Sequence, residues 1–546
     1  MFKISNHKQF VILYLVLEIY LELGALNLVL HLVMNIPKPV VLIILDGWGI
    51  APPGPGNAIS LTNPPFFRKL WLGNAHTTLL ASGDVVGLVR NEAGNSEVGH
   101  LNLGAGYIVY QDLLRISRSI ADGSFFENNA FLQGIEHVKH HNSNLHIIGL
   151  VGPSGVHSSI EHLYALLRLA KDKKVKSVFV HAFTDGRDSP PTSAQIYLAE
   201  LTEKMQSLGI GKIGSVVGRY FAMDRDLRWE RTKSAYELLT EGKGEIASSP
   251  VNAVSSAYQR GETDEFIRPR IILSANDEFT PISEHDAVIF FNFRTDRPRQ
   301  LTSAFVQPEF TEFKRNIHPA DLFFVTMTKY EEGLPVSAVA FEPFHVPLPL
   351  ARVLSERNLR QLHIAESEKF PHVTYFFNGG REDPFPGEDR IEIPSPKVPT
   401  YDLQPEMSAA PVTDVLIERI KQNLYDFILV NYANPDMVGH TGIISAGKKA
   451  VLTVDKCLTK LMPEILGAGG VALVTSDHGN AEVMINPQTG GTDTEHNESL
   501  VPFIFIKQEP NPRELPQGIL ADIPPTILGL MKIPVPSNMT ARNLLG

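Results

Sequence analysis

A chain of 546 residues is longer than one ordinary core can serve, so two large domains are expected, and 43% hydrophobic with 20% charged residues is the balance of a folded globular protein. The formal net charge of −11 excludes a surface that is basic throughout, as a nucleic-acid partner would select, while leaving room for a local cluster around a small phosphate. The single cysteine, Cys457, excludes an internal disulfide and a thiolate-rich metal site and fits a reducing, cytoplasmic setting, so metal ligands must come from Asp, Glu, His, Ser or backbone oxygen.

Residues 1–33 read differently from the rest of the chain. Residues 10–17 are an unbroken apolar run, but Glu18 and Glu22 interrupt it before it reaches the roughly 20 residues a spanning helix needs, and no membrane association is expected. Lys3 and Lys8 precede the run as in a secretory signal, yet no small-residue cleavage site comes after it. The other reading is a start assigned too early, with Met34 as the first residue.

From there, short apolar runs each lead to a polar residue with chemistry to offer. Residues 40–45 end at Asp46, 145–150 lead to His157, 178–182 to Asp185 and Asp188, and 213–217 to Arg219. Further on, 287–291 lead to Asn292 and Arg294, 427–430 to Asn431 and Asp436, and 471–475 to Asp477 and His478. Such strands, alternating with helical patterns like 160–169 and 446–461, predict an α/β fold with parallel sheets covered on both faces. Ligands then sit beyond the carboxyl ends of the strands. The stretch 371–405 holds seven prolines and is predicted to be a long ordered loop.

Acids and imidazoles suited to metals, at 46, 436, 440, 477, 478 and 496, bracket the arginine-bearing strand ends at 187–297. The simplest topology builds a metal-binding α/β domain from residues 34–110 and 345–546, with a second α/β domain, 111–344, inserted in it. Asp436 and His440 share a face if their segment is helical, and both then reach one ion. Asp477 and His478 come after a buried strand, where a sharp turn aims both at one point, and His496 precedes the apolar run 500–506. A lone D-x-x-x-H is usually a solvated helix face; the joint occurrence beside β-rich runs is what points to metal. Carboxylates with imidazoles suit Mn²⁺, Zn²⁺ or Mg²⁺, and three Asp with three His exceed the needs of one catalytic ion.

Ser96, in the small, polar segment 91–100, has two readings: a helix N-cap with Gly99 relaxing the turn, or a nucleophile. The second needs an activator, which a divalent cation can supply by promoting loss of the hydroxyl proton. No G-x-S-x-G elbow surrounds it, so His100 does not read as an acyl-transfer base. Arg187, Arg219, Arg225, Arg294 and Arg297 cluster in the middle of the chain. Singly each reads as a surface ion pair; together, in an acidic protein, they read as a site for a ligand carrying phosphate and carboxylate. Lys369 can add a positive charge, and His157 and Asp188 can exchange protons with a substrate hydroxyl, although His157 also reads as a buried core imidazole.

The strings L-D-G-W-G at 45–49, G-N-S-E-V-G-H at 94–100, F-T-D-G-R-D at 183–188, N-F-R-T-D-R at 292–297, D-M-V-G-H-T-G at 436–442 and S-D-H-G-N-A-E at 476–482 resemble the cofactor-independent phosphoglycerate mutase family of the alkaline-phosphatase-like superfamily. The resemblance runs from about residue 37 to the C-terminus. It implies an alkaline-phosphatase-like metal domain with an inserted transferase domain, two Mn²⁺ ions (Mg²⁺, Co²⁺ or Zn²⁺ in place of them in some members), and action on 2- or 3-phosphoglycerate; nothing in the sequence suggests an obligate partner, so a monomer is expected. By motif, Asp46, Ser96, Asp477 and His478 match the ligands of one ion, and Asp436, His440 and His496 those of the other. His157, Arg187, Asp188, Arg219, Arg225, Arg294, Arg297 and Lys369 match the substrate-holding set, with Ser96, Asp188 and Lys369 catalytic. The sequence T-E-H-N-E at 494–498 departs from the family's threonine-rich stretch around the last histidine. The chemistry implied is phosphoryl transfer through a phosphoserine, with domain closure keeping water out. The rivals are a metal-dependent phosphomonoesterase or phosphopentomutase, for which the arginine cluster has no use, and a non-catalytic phosphometabolite sensor, for which Ser96 has none.

Overall fold

The computed structural model describes residues 36–273 and 278–546, so the apolar run at 10–17 and the readings attached to it lie outside the described residues. Seventeen strands are present among them. They run β1 Val40–Leu45, β2 Ala75–Leu80, β3 Leu145–Leu150, β4 Val178–Thr184, β5 Lys212–Gly218, β6 Glu245–Ala247, β7 Arg270–Ile272, β8 Ala287–Phe290 and β9 Phe323–Thr328. The rest are β10 Ala338–Phe341, β11 Gln361–Glu366, β12 Glu388–Ile393, β13 Phe427–Tyr432, β14 Val471–Thr475, β15 Val501–Ile506, β16 Arg513–Glu514 and β17 Gly518–Ile519. The chain divides into two compact units, one built up to Val109 and again from His345 onward, the other from Tyr110 to Phe344. No helix among the described residues is long and apolar enough to cross a membrane.

The first unit is built on a nine-stranded sheet in the order β12-β11-β13-β1-β14-β15-β2-β16, with β17 also on β2. The five strands from β12 to β14 are parallel, while β15 runs antiparallel to both β14 and β2. Strand β1 is apolar at all six positions because both its faces are covered: Val40, Leu42 and Ile44 join one core, and Val41, Ile43 and Leu45 join the core on the other side.

The second unit holds an eight-stranded sheet, β10-β9-β8-β3-β4-β5-β7-β6, parallel except for the β5–β7 pair. Its central strand β3 divides in the same way, with Leu145 and Ile147 in one core and Ile148 and Leu150 in the other.

The proline-rich stretch 371–405 is not one long loop. It opens with a π-helical turn, His372–Phe376, and contains β12, which pairs in parallel with β11. The sequence E-D-R-I-E-I hides this strand because an edge strand half open to water tolerates charge, and all seven prolines fall outside it.

Candidate metal centre and arginine cluster

In the first unit β11, β13, β1 and β14 are neighbours and parallel, so their carboxyl ends share one edge, with the order turning back at β1. This adjacency converges residues far apart in sequence. Asp46 follows β1, Asp477 and His478 follow β14, Asp436 stands in helix Asn434–Gly439 after β13, and Lys369 follows β11. All five are buried.

Ser96 begins helix Ser96–Ala105. Asn95 is the N-cap, its side chain accepting from Val98 N at 3.0 Å, so the capping reading of Ser96 is corrected and its hydroxyl is free of that task. That hydroxyl lies 2.7 Å from Lys369 Nζ, 2.9 Å from His478 Nε2 and 3.3 Å from Asp46 Oδ1. Gly99, one turn on, lets the helix approach β14's end; a Cβ there would stand 2.7 Å from Asp477 Cβ and from its carbonyl oxygen.

The segment carrying Asp436 and His440 is helical, and Asp436 Oδ1 lies 3.2 Å from His440 Nε2, 3.2 Å from His496 Nε2 and 4.0 Å from His478 Nε2. His440 Nδ1 donates to Thr494 O at 2.7 Å, which leaves its Nε2 lone pair aimed at His496 Nε2, 3.1 Å away. Two imidazole nitrogens and a carboxylate this close need a shared positive charge, which a proton or a metal ion can supply. Asp436, His478 and His496 form one group with ligand atoms all within 4.8 Å of one another, and Asp46, His100 and Asp477 form a second. His100 has both ring nitrogens engaged, at Ser96 O and Asn431, so the imidazole available beside Asp46 and Asp477 is His478, whose Nε2 lies 3.5 Å from each.

The electrostatics agree. Burial works against ionising Asp436 and Asp477, but Lys369 with His440 and His496 at the first, and His478 with His100 and Lys369 at the second, together outweigh it, so both sit below the ordinary carboxylate range. Burial works against protonating His478, yet Asp477 and Asp46 carry it up to about 9. Lys369 bridges Asp436 Oδ2 at 2.6 Å and Asp46 Oδ1 at 2.8 Å, and these carboxylates overcome burial to raise it, so it is an ammonium. Two residues outside the predicted set complete the frame. His100 Nδ1 donates to Ser96 O at 2.9 Å, and Asn431 Nδ2 donates to His100 Nε2 at 3.0 Å and to Asp46 Oδ2 at 2.7 Å. The signal for His100 was its place four residues after Ser96; Asn431 had only its place at a strand end.

In the second unit β8, β3, β4 and β5 are parallel neighbours, and their carboxyl ends carry Arg294, His157, Asp188 and Arg219. Arg219 is buried, with Nη1 2.6 Å from Asp185 Oδ1 and 2.5 Å from Asp188 Oδ2, and Nη2 donating to His157 Nε2 at 3.0 Å. Burial and then Arg219 pull His157 down to about 4, so it is a neutral acceptor. Burial works against ionising Asp188, but Arg219 holds it below its usual value.

Arg187, Arg219 and Arg297 line a cavity of about 160 Å³ together with Arg228 and Arg231. Burial and the neighbouring Arg219 and Arg225 lower Arg297, the mark of positive charge in excess of its partners. Arg225 and Arg294 are not in that lining and instead flank Asp296, at 2.7 and 3.3 Å. Lys369 lies in the first unit, on Ser96. Arg231, for which the sequence carried no motif signal, is 3.2 Å from Asp224 and stacks on Tyr220 with 3.7 Å to the ring centre.

A serine hydroxyl framed by buried acids, imidazoles and an ammonium at one sheet edge, in a chain that also holds a guanidinium-lined cavity, defines a phosphoryl-transfer enzyme of the α/β class. The family model described as BPG-independent PGAM N-terminus matches residues 116–332. A 2,3-bisphosphoglycerate-independent phosphoglycerate mutase of Chloroflexus aggregans is 53% identical over 94% of this chain and 99% of its own. One from Clostridium botulinum is 49% identical over 93% of this chain and 99% of its own. The solved Leishmania mexicana phosphoglycerate mutase, crystallised at low cobalt concentration, covers 93% of this chain and 97% of its own at 29% identity, with a TM-score of 0.59. The chain belongs to the 2,3-bisphosphoglycerate-independent phosphoglycerate mutase family.

Proposed function

We propose that the chain is a cytoplasmic, monomeric enzyme that interconverts 2-phosphoglycerate and 3-phosphoglycerate, without 2,3-bisphosphoglycerate, through a phosphoserine at Ser96. The observation that carries this reading is the hydroxyl's setting, 2.7 Å from the Lys369 ammonium and 2.9 Å from His478 within a ring of buried aspartates. Asp46, Ser96, Asp477 and His478 are the ligand set for one divalent cation and Asp436, His440 and His496 for a second, with Mn²⁺ the first choice and Mg²⁺, Co²⁺ or Zn²⁺ alternatives. Bound there, such cations lower the proton affinity of a coordinated hydroxyl and offset phosphoryl charge.

Ser96 Oγ gives up its proton and forms the new bond to phosphorus as the ester P–O bond of the substrate breaks, the departing glycerate oxygen takes up one proton in exchange, and Lys369 donates to an oxygen of the group in transfer. The freed glycerate keeps its carboxylate on the forked donors of Arg187, Arg219 and Arg297, with Arg225 and Arg294 adding positive potential. A substrate carboxylate that draws Arg219 from Asp188 returns Asp188 toward the ordinary carboxylate range, where it can carry a proton between the two glycerate hydroxyls. Neutral His157 holds the guanidinium's other prong meanwhile. The phosphoryl group then passes from Ser96 to the other hydroxyl, and excluding water during that interval separates mutation from hydrolysis.

The test is a coupled mutase assay on chelated, Mn²⁺-repleted protein, with and without 2,3-bisphosphoglycerate, beside a Ser96→Ala variant. Turnover should need the metal, ignore the bisphosphate and vanish in the variant. Undiminished turnover by Ser96→Ala would refute the covalent step.

A further inference from the structure

At the amino edge of the second unit's sheet, away from the arginine cluster, four side chains with metal-ligand chemistry meet. His137 and His141 stand one turn apart at the end of helix Asn129–His141, His285 precedes β8 and Asp321 precedes β9. One ligand atom from each of His137, His141 and Asp321 lies within 4.8 Å of the other two. His141 Nδ1 donates to His137 O at 3.0 Å, which fixes the tautomer and leaves the Nε2 lone pair toward Asp321 Oδ2, 3.7 Å away. His137 Nε2 is buried and has no hydrogen-bond partner. His285 Nδ1 lies 2.8 Å from Asp321 Oδ2, and its ring stacks on His141 at 4.5 Å and 4°.

We propose that this constellation is a zinc site, with His137 Nε2, His141 Nε2 and Asp321 Oδ2 as ligands, a fourth position open to water, and His285 orienting the carboxylate. Two imidazoles at i and i+4 with one carboxylate match the donor preference of Zn²⁺, and the missing hydrogen bond at His137 is the bond a cation would supply. Tetrahedral bonds of about 2.1 Å put neighbouring ligands roughly 3.4 Å apart, so the atoms must draw in by up to about 1.4 Å. The Asp321 side chain, 57% exposed, has the freedom to do so. Zinc here pins the last turn of the helix to the two loops entering β8 and β9. It acts on the cohesion of the second unit and leaves the chemistry at Ser96 alone.

The experiment is Zn²⁺ titration calorimetry on the chelator-stripped full chain and on a His137→Gln/His141→Gln double variant. Wild type should bind one more equivalent than the variant, and zinc should raise the second unit's unfolding temperature in wild type only. Mn²⁺-supported mutase turnover should agree within about twofold. Equal zinc stoichiometry in the two proteins overturns the proposal. Should the double variant fold poorly, Asp321→Asn, on an exposed loop, is expected to weaken the extra site at least about tenfold. Wild-type zinc affinity in that variant overturns it equally.

Discussion

Gly99→Ala gives the proposed nucleophile a test whose sign is informative. In an open helix interior, replacing glycine by alanine stabilises by about 1 kcal/mol. At position 99 the new Cβ would meet Asp477 Cβ and the Asp477 carbonyl at 2.7 Å, against the 3.4 Å at which ordinary contact begins. Neither neighbour is the flexible end of a side chain, so helix Ser96–Ala105 or the Asp477 turn must shift by roughly 0.7 Å, at an overpacking cost of about 1–3 kcal/mol. The net expectation is a loss of about 0–2 kcal/mol where propensity alone would give a gain. The shift also moves Ser96 relative to Asp477 and His478, and misplacement approaching 1 Å costs about a hundredfold in rate, so kcat should fall between about tenfold and a hundredfold. The assays are mutase turnover at saturating Mn²⁺ and urea unfolding. Gly73→Ala is the control, since nothing lies within 4 Å of its Cβ position, and it should leave turnover unchanged. A Gly99→Ala protein as active as wild type and more stable would refute the reasoning.

Chelation removes the counter-charge of Asp46, Asp436 and Asp477, so it should lower the first unit's unfolding temperature as well as abolish turnover, both recovering with Mn²⁺; scanning calorimetry that sees no shift would count against ligation by these acids. Lys369→Met should cut turnover about a hundredfold or more, and Lys369→Arg should not restore it, because a planar guanidinium cannot take the compact position between Ser96, Asp46 and Asp436. Burial depresses His162 from 6.5 to about 4, so the unfolded chain takes the proton first; this contribution is complete above about pH 6.5 and is lost as pH falls toward 4. At pH 4.5 the loss is about 2.5 kcal/mol, so urea midpoints between pH 7.5 and 4.5 should fall less in His162→Gln than in wild type.

Strands buried on both faces were readable where the run is apolar throughout, as in β1, or nearly so, as in β3 with its single His146 and β14 with its terminal Thr475. What escaped were strands whose faces differ: β2 mixes His76, Thr77 and Thr78 into its run, and β12 lies half open at an edge. In the site, the acids were legible from chemistry at strand ends and Ser96 from the small, polar segment that opens helix Ser96–Ala105. Which arginines share a cavity was not, because that depends on side-chain reach: Arg231 comes in from helix Trp229–Glu241, whereas Arg225 and Arg294 are held on Asp296. The π-turn at His372–Phe376 left no trace in composition, since its hydrogen bonding comes from packing against helix Ser96–Ala105, where a Cβ on Gly104 would meet Phe377 O at 2.0 Å.

The position of β1 between β13 and β14 has a consequence for synthesis. On the ribosome this strand is among the first to emerge, yet both its neighbours lie more than 380 residues downstream, and their partners in register run from Phe427 to Tyr432 and from Val471 to Thr475. A nascent chain that stops before residue 427 therefore offers Ser96 neither Asp436 nor Asp477, whatever the middle of the chain has achieved. Loop closure over such a separation comes late in folding. The proposed nucleophile is thus without these two proposed partners in any product that stops short of β13.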